Sequence, residues 1–350
     1  MRVVVVGATG NVGTSTLAAL ARDPSVDEIV GVARRLPERP FPKVHWVAAD
    51  IRGSDLGPIF AGASAVIHLA WLIQPSRDLA ELRSVNVDGS ARVFRAVAAA
   101  GVPALVYASS VGAYSPGPKH YSVDESWPTD GIPSSFYSRH KAEAERLLDA
   151  FEAEHPSVRT VRLRPGLIFK RGAGAEVRRL FAGPFLPSPL LSERLIPVVP
   201  DVPALRFQAV HSLDVGEAYR LAAVGDARGP FNIAAEPVLD PQELGRLLRA
   251  RPVRVPAKAL RALADVTWRL RLQPSPPGWV DMALGVPLMN ISRARTELGW
   301  EPRHTSGEAL KELLGGMRES AGEPTPPLEP SAGGPLRFRE LLTGVGRRAP

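Results

Sequence analysis

The sequence contains no cysteine and no long apolar run. Without cysteine among its 350 residues, the chain can form neither disulfides nor thiolate zinc sites, and a cysteine nucleophile is excluded. No run reaches the roughly 18 apolar residues that a membrane span needs. The opening apolar run ends at Gly7, short of the roughly 7–15 residues of a signal-peptide core. We therefore expect a cytoplasmic protein without a membrane partner.

Lysine is scarce, although the chain is basic. Only six of the 43 basic residues are lysine, and the 36 acidic residues leave a formal net charge of +7. The arginines are scattered, and their longest clusters are pairs, so no basic nucleic-acid-binding face is expected. The histidines are also dispersed, and His211 has no second ligand at a usable spacing, so no metal site is expected.

Residues 1–169 alternate between short apolar runs and helical stretches. The predicted strands are Val3–Val6, Ile29–Ala33, Val44–Ala48, Ala65–Ala70, Ala104–Ala108 and Thr160–Arg164. The predicted helices are Asn11–Arg22, Leu79–Ala100 and Phe136–His155. Such alternation is typical of an α/β fold, here a Rossmann-type doubly wound parallel sheet that would bind a dinucleotide.

Beyond residue 169 proline becomes frequent and the pattern less regular. We expect a smaller, loop-rich substrate-binding lobe over 170–320, from which segments such as 205–235 return to the first domain. Its predicted helices are Pro241–Ala250, Ala257–Leu272 and Ser306–Glu319. Residues 321–350 are rich in proline and glycine and predict a flexible tail, with a weak helix at 336–343.

A glycine-rich loop joins the first predicted strand to the first predicted helix. Its glycines permit a tight turn, a close approach of the backbone to a pyrophosphate, and close packing of helix on strand. The pyrophosphate would then lie on the free N–H groups at the positive end of the helix. The predicted contacts are Gly7, Thr9, Gly10, Asn11, Val12 and Gly13. This context makes the motif specific for a nicotinamide dinucleotide.

The end of the second strand favours NADP over NAD. NAD-preferring domains place a carboxylate there to hold the ribose 2′-hydroxyl. Here Ala33 is followed by Arg34 and Arg35, whose guanidinium groups suit a 2′-phosphate. The alternative is that both arginines are solvated surface charges and that NAD is used.

Tyr137 and Lys141 lie four residues apart on the predicted helix Phe136–His155 and therefore share one face. A free tyrosine has a pKa of about 10 and is a poor base at neutral pH. A nearby ammonium and a positive nicotinamide ring both favour the phenolate, so we expect Tyr137 to exchange a proton during hydride transfer. The alternative is that Tyr137 is a packing residue.

Together these residues resemble the extended short-chain dehydrogenase/reductases, the NAD-dependent epimerase/dehydratase group. Further matching patterns are Ala49-Asp50-Ile51, Val66 to Ala70, Asn86 to Ser90, Tyr107 to Ser110, Arg164-Pro165-Gly166 and Glu297 to Trp300. The resemblance implies that Ser110 binds the substrate oxygen and that Tyr137 and Lys141 form the catalytic pair. It implies further cofactor contacts from Asp50, Ile51, Leu69, Ala70, Trp71, Asn86, Ser109 and Pro165, and a mid-helix kink or water contact at Asn86.

Two departures narrow the function that this resemblance implies. The dehydratase branch has an Asp-Glu pair where Val111-Gly112 follow Ser110, so sugar dehydration is not expected. Nucleotide-sugar epimerases have an arginine four residues before a late-strand histidine; here Phe207 holds that position before His211, and Arg206 is one residue away. Because a shift of one residue turns a strand side chain to the other face, this departure weakens the resemblance to nucleotide-sugar epimerases.

The favoured hypothesis is an NAD(P)-dependent oxidoreductase that transfers hydride at a carbonyl/alcohol carbon of a small, fairly apolar molecule. The alternatives are a nucleotide-sugar epimerase of the same family and a non-catalytic NAD(P)-sensing regulatory protein. A structural or RNA-associated scaffold is a third, less favoured alternative. The resemblance also implies a homodimer paired through the Leu79–Ala100 and Phe136–His155 helices.

Overall fold

A computed structural model describes residues 1–73, 77–182 and 197–330 of the chain. Its strands are β1 (Arg2–Val6), β2 (Glu28–Ala33), β3 (Val44–Ala48), β4 (Ala65–His68), β5 (Ala104–Ala108), β6 (Ser122–Val123), β7 (Arg159–Pro165), β8 (Leu167–Phe169), β9 (Val198–Asp201), β10 (Ala209–His211), β11 (Gly229–Ile233), β12 (Arg251–Arg254) and β13 (Leu288–Met289). Its α-helices are α1 (Asn11–Arg22), α2 (Gly57–Phe60), α3 (Leu79–Arg83), α4 (Ser90–Ala99), α5 (Phe136–Glu154), α6 (Gly174–Val177), α7 (Ser212–Val224), α8 (Pro241–Leu248), α9 (Ala257–Arg269), α10 (Gly278–Gly285), α11 (Ser292–Thr296) and α12 (Ser306–Glu319).

Seven of these strands form one parallel sheet in the order β3-β2-β1-β4-β5-β7-β11. The order reverses between β1 and β4, and ligands of such sheets bind in the crevice outside the carboxyl ends of the strands at this point. Helices cover both faces, which explains the continuous apolar run of β1, whose residues Val3–Val6 are all buried. The predicted doubly wound fold is confirmed.

Two apolar cores lie on opposite faces of the sheet. On one face Leu17 and Leu20 of α1 pack with Tyr219 of α7. On the other face Phe94 of α4 packs with Phe151 of α5. Both cores are built around aromatic or leucine side chains with little or no exposure to solvent, so they fix the helices against the sheet and hold the strand ends in place.

The segment 205–235 contributes to this sheet although it follows the start of the second lobe. β11 pairs with β7 at the sheet edge, and α7 packs against α1. The hydroxyl oxygens of Ser15 and Ser212 lie 2.9 Å apart between these two helices. Outside the seven-stranded sheet, β9 and β12 form a two-stranded sheet, and helices α8 to α10 lie within residues 241–285. No helix in the described part of the chain is long and apolar enough to cross a membrane.

The predicted helix Leu79–Ala100 is interrupted in the structure. α3 and α4 are joined by a π-helical turn over Ser84–Gly89, which inserts one extra residue per turn. Asn86 lies in this turn and is completely buried. The helical periodicity did not predict this interruption, whereas the family resemblance implied a kink at Asn86.

Residues 321–330 differ from the flexible tail predicted over 321–350. Leu328 is fully buried, and the Thr325 hydroxyl donates a 2.8 Å hydrogen bond to the carbonyl oxygen of Thr9 in the glycine-rich loop. Glu323 forms a 2.7 Å ion pair with the buried Lys170. Residues 331–350, with the predicted helix at 336–343, lie outside the described residues, as do 183–196.

Candidate active site

A cavity of about 680 Å³ opens at the carboxyl ends of β1, β4, β5 and β7. All predicted site residues except Asn86 line it. These lining residues are Gly7, Thr9, Gly10, Asn11, Val12, Gly13, Arg34, Arg35, Asp50, Ile51, Leu69, Ala70, Trp71, Ser109, Ser110, Tyr137, Lys141 and Pro165. Residues drawn from seven separate segments therefore meet in one cleft.

The glycine-rich loop has the shape that a dinucleotide requires. Gly7 has a φ of +89°, and a Cβ atom there would lie 2.6 Å from the backbone nitrogen of Ala70. A Cβ atom at Gly13 would lie 2.5 Å from the carbonyl oxygen of Gly7. No side chain larger than hydrogen fits at either position, so the loop stays close to both strand and helix.

The start of α1 leaves polar groups available to a ligand. Gly10 occupies the N-cap position and offers no side chain to the first N–H groups of the helix. The buried side-chain oxygen of Asn11 and the indole nitrogen of Trp71 have no hydrogen-bond partner within the described segments. Unpaired donors at a helix N-terminus, beside orphaned buried polar atoms, fit the pyrophosphate and ribose of a dinucleotide.

Three charged residues lie at the rim of the cavity near the ends of β2 and β3. Arg34 and Arg35 are exposed where β2 ends. Asp50 pairs with Arg52 at 2.7 Å, and the hydrogen bond from Arg52 holds the pKa of Asp50 below its usual value, with a smaller contribution from the charge of Arg34. Neither rim arginine forms an ion pair within the described part of the chain, although Asp50 lies close enough to Arg34 for their charges to interact.

Tyr137 lies at the opposite end of the cavity and is 9% exposed. Burial raises its pKa to about 12, while a hydrogen bond from the Ser110 hydroxyl acts in the opposite direction. This shift is opposite to the one expected from the sequence. The reason is that desolvation penalises the phenolate and that the neighbouring ammonium is directed elsewhere.

The ammonium of Lys141 contacts a backbone carbonyl and an indole ring. Its Nζ donates a 2.6 Å hydrogen bond to the oxygen of Ala108 and lies 3.4 Å from the centre of the Trp71 ring. The distance to the centre of the Tyr137 ring is 5.9 Å. Burial lowers the pKa of Lys141 well below its usual value, opposed by the charge of Glu145. Lys141 and Tyr137 thus share the cavity, and their side chains form no hydrogen bond with each other in the described structure.

A buried cluster of ionic side chains beneath the cavity was not predicted from the sequence. Glu145 accepts hydrogen bonds from Arg164 at 2.8 Å and Arg162 at 2.8 Å, and from the Ser109 hydroxyl at 2.5 Å. Burial alone would raise the pKa of Glu145, but these partners lower it to about 2. Two features of the sequence could have indicated this cluster. Glu145 follows Lys141 by four residues on the same helix, and Arg162 and Arg164 lie on one buried strand.

Asn86 does not line the cavity, contrary to the predicted cofactor contact. Its side-chain oxygen accepts a 2.7 Å hydrogen bond from the backbone N–H of Leu72, and its amide nitrogen donates a 3.0 Å bond to the Leu72 carbonyl. Both polar ends of the side chain are occupied in this way. Asn86 therefore fixes the loop after β4 at the residue that follows Trp71.

An aromatic wall forms the remaining side of the cavity. The rings of Tyr137 and Trp279 lie 5.1 Å apart, and Phe181 meets Trp279 edge-on at 5.1 Å. Met282 and Val286, also from the α10 region, continue this lining. Trp71 was predicted from the sequence as a cofactor contact, but Trp279 was not predicted, because nothing local indicates that α10 returns to the cavity.

The chain belongs to the NAD-dependent epimerase/dehydratase family, whose sequence profile matches residues 3–233. It is 28% identical over 343 residues to a 3-beta-hydroxysteroid dehydrogenase of Mycolicibacterium neoaurum, covering 89% of this chain and 90% of that protein. It is 26% identical over 323 residues to an uncharacterized protein of Mycobacterium tuberculosis; the match covers 92% of this chain but only 31% of that relative's length.

The solved structures agree on the fold. The UDP-glucose 4-epimerase of Thermotoga maritima, solved with UDP-glucose, matches with a TM-score of 0.69 at 20% identity, over 91% of this chain and 99% of that one. The predicted resemblance to extended short-chain dehydrogenase/reductases is confirmed by the family match.

Proposed function

We propose that this chain is an NAD(P)-dependent oxidoreductase that interconverts a secondary alcohol and a ketone on an apolar small molecule. The position of Tyr137 is the observation that carries the proposal. Its hydroxyl is hydrogen-bonded to Ser110, its ring packs against Trp279, and it lies in the same cavity as the glycine-rich loop. A proton-exchanging group thus lies between a cofactor cleft and an apolar wall.

Tyr137, Ser110 and Lys141 would have separate roles in the oxidation of the alcohol and the reduction of the ketone. When bound, the dinucleotide would take up hydride from the carbinol carbon, or return it to the ketone carbon in the reverse direction. Tyr137 takes the hydroxyl proton on oxidation and returns it on reduction. Ser110 hydrogen-bonds the substrate oxygen. Lys141, whose Nζ lies at Ala108 and Trp71, would hold ribose hydroxyls of the bound dinucleotide.

The rim of the cavity supports NADP as the preferred cofactor. Arg34 and Arg35 are exposed beside the predicted ribose position, where no carboxylate follows β2. A 2′-phosphate would gain charge-assisted hydrogen bonds there, whereas a 2′-hydroxyl would lack its usual acidic partner. NAD remains the alternative.

The lining favours an apolar substrate over a nucleotide sugar. Leu205 and Phe207 face the cavity, while the side chain of Arg206 lies 3.9 Å from Asp240, so the cation does not line the substrate region. Trp279 and Met282 add further apolar surface. The relative named 3-beta-hydroxysteroid dehydrogenase supports the same substrate class.

The test is a substrate panel with purified protein. Cyclic ketones and secondary alcohols of steroid size are compared with UDP-hexoses, following NADPH and NADH absorbance and sugar interconversion. We expect turnover of the apolar class, with kcat/KM at least about 100-fold above that of any UDP-hexose. Tyr137→Phe abolishes this turnover, whereas Tyr121→Phe, at an exposed tyrosine, retains it.

Two outcomes would overturn the proposal. Interconversion of UDP-hexoses without net change in the dinucleotide would assign the chain to the epimerases. Tight dinucleotide binding without turnover of any member of the panel would favour the non-catalytic sensor.

A further inference from the structure

Helix α9 carries an apolar stripe that faces solvent. Leu263, Val266 and Leu270 are 62%, 52% and 64% exposed, and Ala259 and Ala262 are exposed on the same side. Their spacing of three or four residues places them along one face of the helix. No residue of α9 is buried. A surface helix ordinarily turns such a stripe towards the core, so the reversed orientation needs an explanation.

The opposite face of α9 is held in place by specific contacts. Arg261 donates a 2.8 Å bond to Asp281 on α10. Arg77 donates to the carbonyl oxygen of Trp268 and lies 4.1 Å above its ring. Gln273 bonds to Ala264 and closes the end of the helix. These contacts hold α9 in an orientation in which its apolar stripe faces solvent.

The residues flanking the stripe extend the apolar surface and are basic. Leu272, just beyond α9, and Val253, on the preceding strand, are also exposed. Within the described ranges, Arg254, Lys258 and Arg271 have no carboxylate partner. The nearby carboxylates are already neutralised: Asp265 pairs with Arg269 at 2.9 Å, and Asp281 pairs with Arg261 at 2.8 Å.

An apolar stripe with unpaired cations on its flanks matches the surface of an anionic bilayer. Helices of this type lie in the interface, with the apolar side among the acyl chains and the basic side near the headgroups. A second copy of the chain is a poorer partner. Symmetric pairing through α9 would place Lys258 and Arg271 against a surface that is equally basic.

We propose that α9, together with residues 253–254 and 271–272, is an interfacial anchor that binds membranes containing anionic lipid. The sequence analysis had expected no membrane partner; the anchor lies on the bilayer and does not span it. α10, which packs against α9, contributes Trp279 to the cavity, so an apolar molecule dissolved in the bilayer would reach the chain beside its substrate site. Only this last consequence rests on the proposed function.

Vesicle sedimentation tests the anchor directly. The full chain is mixed with vesicles of phosphatidylcholine alone or with about 30% phosphatidylserine, at low and high salt. We expect binding to the anionic vesicles that weakens as salt screens the charges. Lys258→Gln/Arg271→Gln lowers the partition coefficient about 25-fold, at about fivefold per cation. Leu263→Ser/Leu270→Ser lowers it by about tenfold or more.

Matched controls separate the anchor from general surface properties. Leu213→Ser removes a comparably exposed leucine on α7, and Arg22→Gln/Arg39→Gln removes two exposed arginines elsewhere. Both controls retain wild-type binding if α9 is the anchor. Equal loss in the controls, or no binding of the wild type to anionic vesicles, overturns the proposal.

A fluorescent label keeps the test decisive if a double variant folds poorly. Because the chain has no cysteine, Leu263→Cys can carry a single environment-sensitive probe. Anionic vesicles are expected to shift its emission to the blue, while the probe at Leu213→Cys stays unchanged. A concentration-dependent dimer in lipid-free buffer that Leu263→Ser/Leu270→Ser dissociates would instead assign the surface to a second copy and overturn the membrane proposal.

Discussion

Replacing Glu145 with glutamine tests how the buried ionic cluster supports the site. Glu145 is inaccessible to solvent and accepts hydrogen bonds from Arg162, Arg164 and Ser109. Glutamine keeps the volume and one acceptor but removes the charge. Arg162 would retain Asp149 as a partner, whereas Arg164 would keep only neutral acceptors. One buried guanidinium is then left without a compensating charge.

The magnitude follows from the pKa of Glu145. The shift from 4.5 to about 2 corresponds to about 3 kcal/mol of stabilisation by the ionised form. This agrees with the roughly 3–5 kcal/mol that is typical when a buried ion pair loses one partner. Because the folded pKa is depressed, the contribution is fully present above about pH 4.5 and is lost as the pH falls towards 2.

Urea unfolding between pH 7 and pH 3 measures both effects. We expect Glu145→Gln to lower the unfolding free energy by about 3 kcal/mol at pH 7, and the difference from wild type to shrink as the pH falls. Asp149→Asn is the matched control, because Asp149 bonds the same Arg162 but is largely exposed; its loss should cost under about 1 kcal/mol. Equal effects of the two substitutions, or a pH-independent difference, would refute the reasoning.

Three further predictions concern the cofactor cleft and the segment that covers it. Lys141→Met should raise the unfolding free energy of the dinucleotide-free protein by about 1 kcal/mol in urea unfolding, because it removes a buried cation. The same substitution should lower kcat/KM at least about 100-fold in steady-state kinetics. Arg34→Ala/Arg35→Ala should reduce the preference for NADPH over NADH by about tenfold in fluorescence titrations, and an unchanged ratio would contradict the NADP assignment. Glu323→Gln should destabilise the chain by about 1–2 kcal/mol, since the buried ammonium that it pairs with loses its carboxylate; an unchanged urea midpoint would mean that residues 321–330 contribute little.

The parts of the fold that the sequence revealed are those with strong local periodicity. The apolar run of β1 followed by the glycine-rich loop predicted both the sheet and the phosphate site, because a strand buried on both faces and a glycine-lined turn each leave a local pattern. Tyr137 and Lys141 were found in the same way, by their spacing on one helix.

The features that the sequence did not reveal depend on partners far along the chain. Asn86 was predicted as a cofactor contact, but it does not line the cavity and its amide bonds the backbone of Leu72, a contact that only the folded loop creates. The direction of the Tyr137 pKa shift depends on burial and on where Lys141 points. Thr325 lies in a proline-rich stretch whose composition predicts disorder, yet it docks onto the glycine-rich loop.

The proton chemistry of Tyr137 is tested most directly by the pH dependence of alcohol oxidation. Wild type and Tyr137→Phe are compared from pH 6 to pH 10 with NADP⁺ and the best secondary alcohol from the substrate panel. Because burial raises the pKa of Tyr137 to about 12, the phenolate is scarce at neutral pH. We therefore expect the wild-type rate to rise with pH over this range.

Tyr137→Phe should bind the dinucleotide within about threefold of wild type but oxidise the alcohol at least about 1,000-fold more slowly at every pH. A variant that retains a tenth of the wild-type rate, or a wild-type rate that is flat with pH, would contradict the assignment of Tyr137 as the proton-exchanging group.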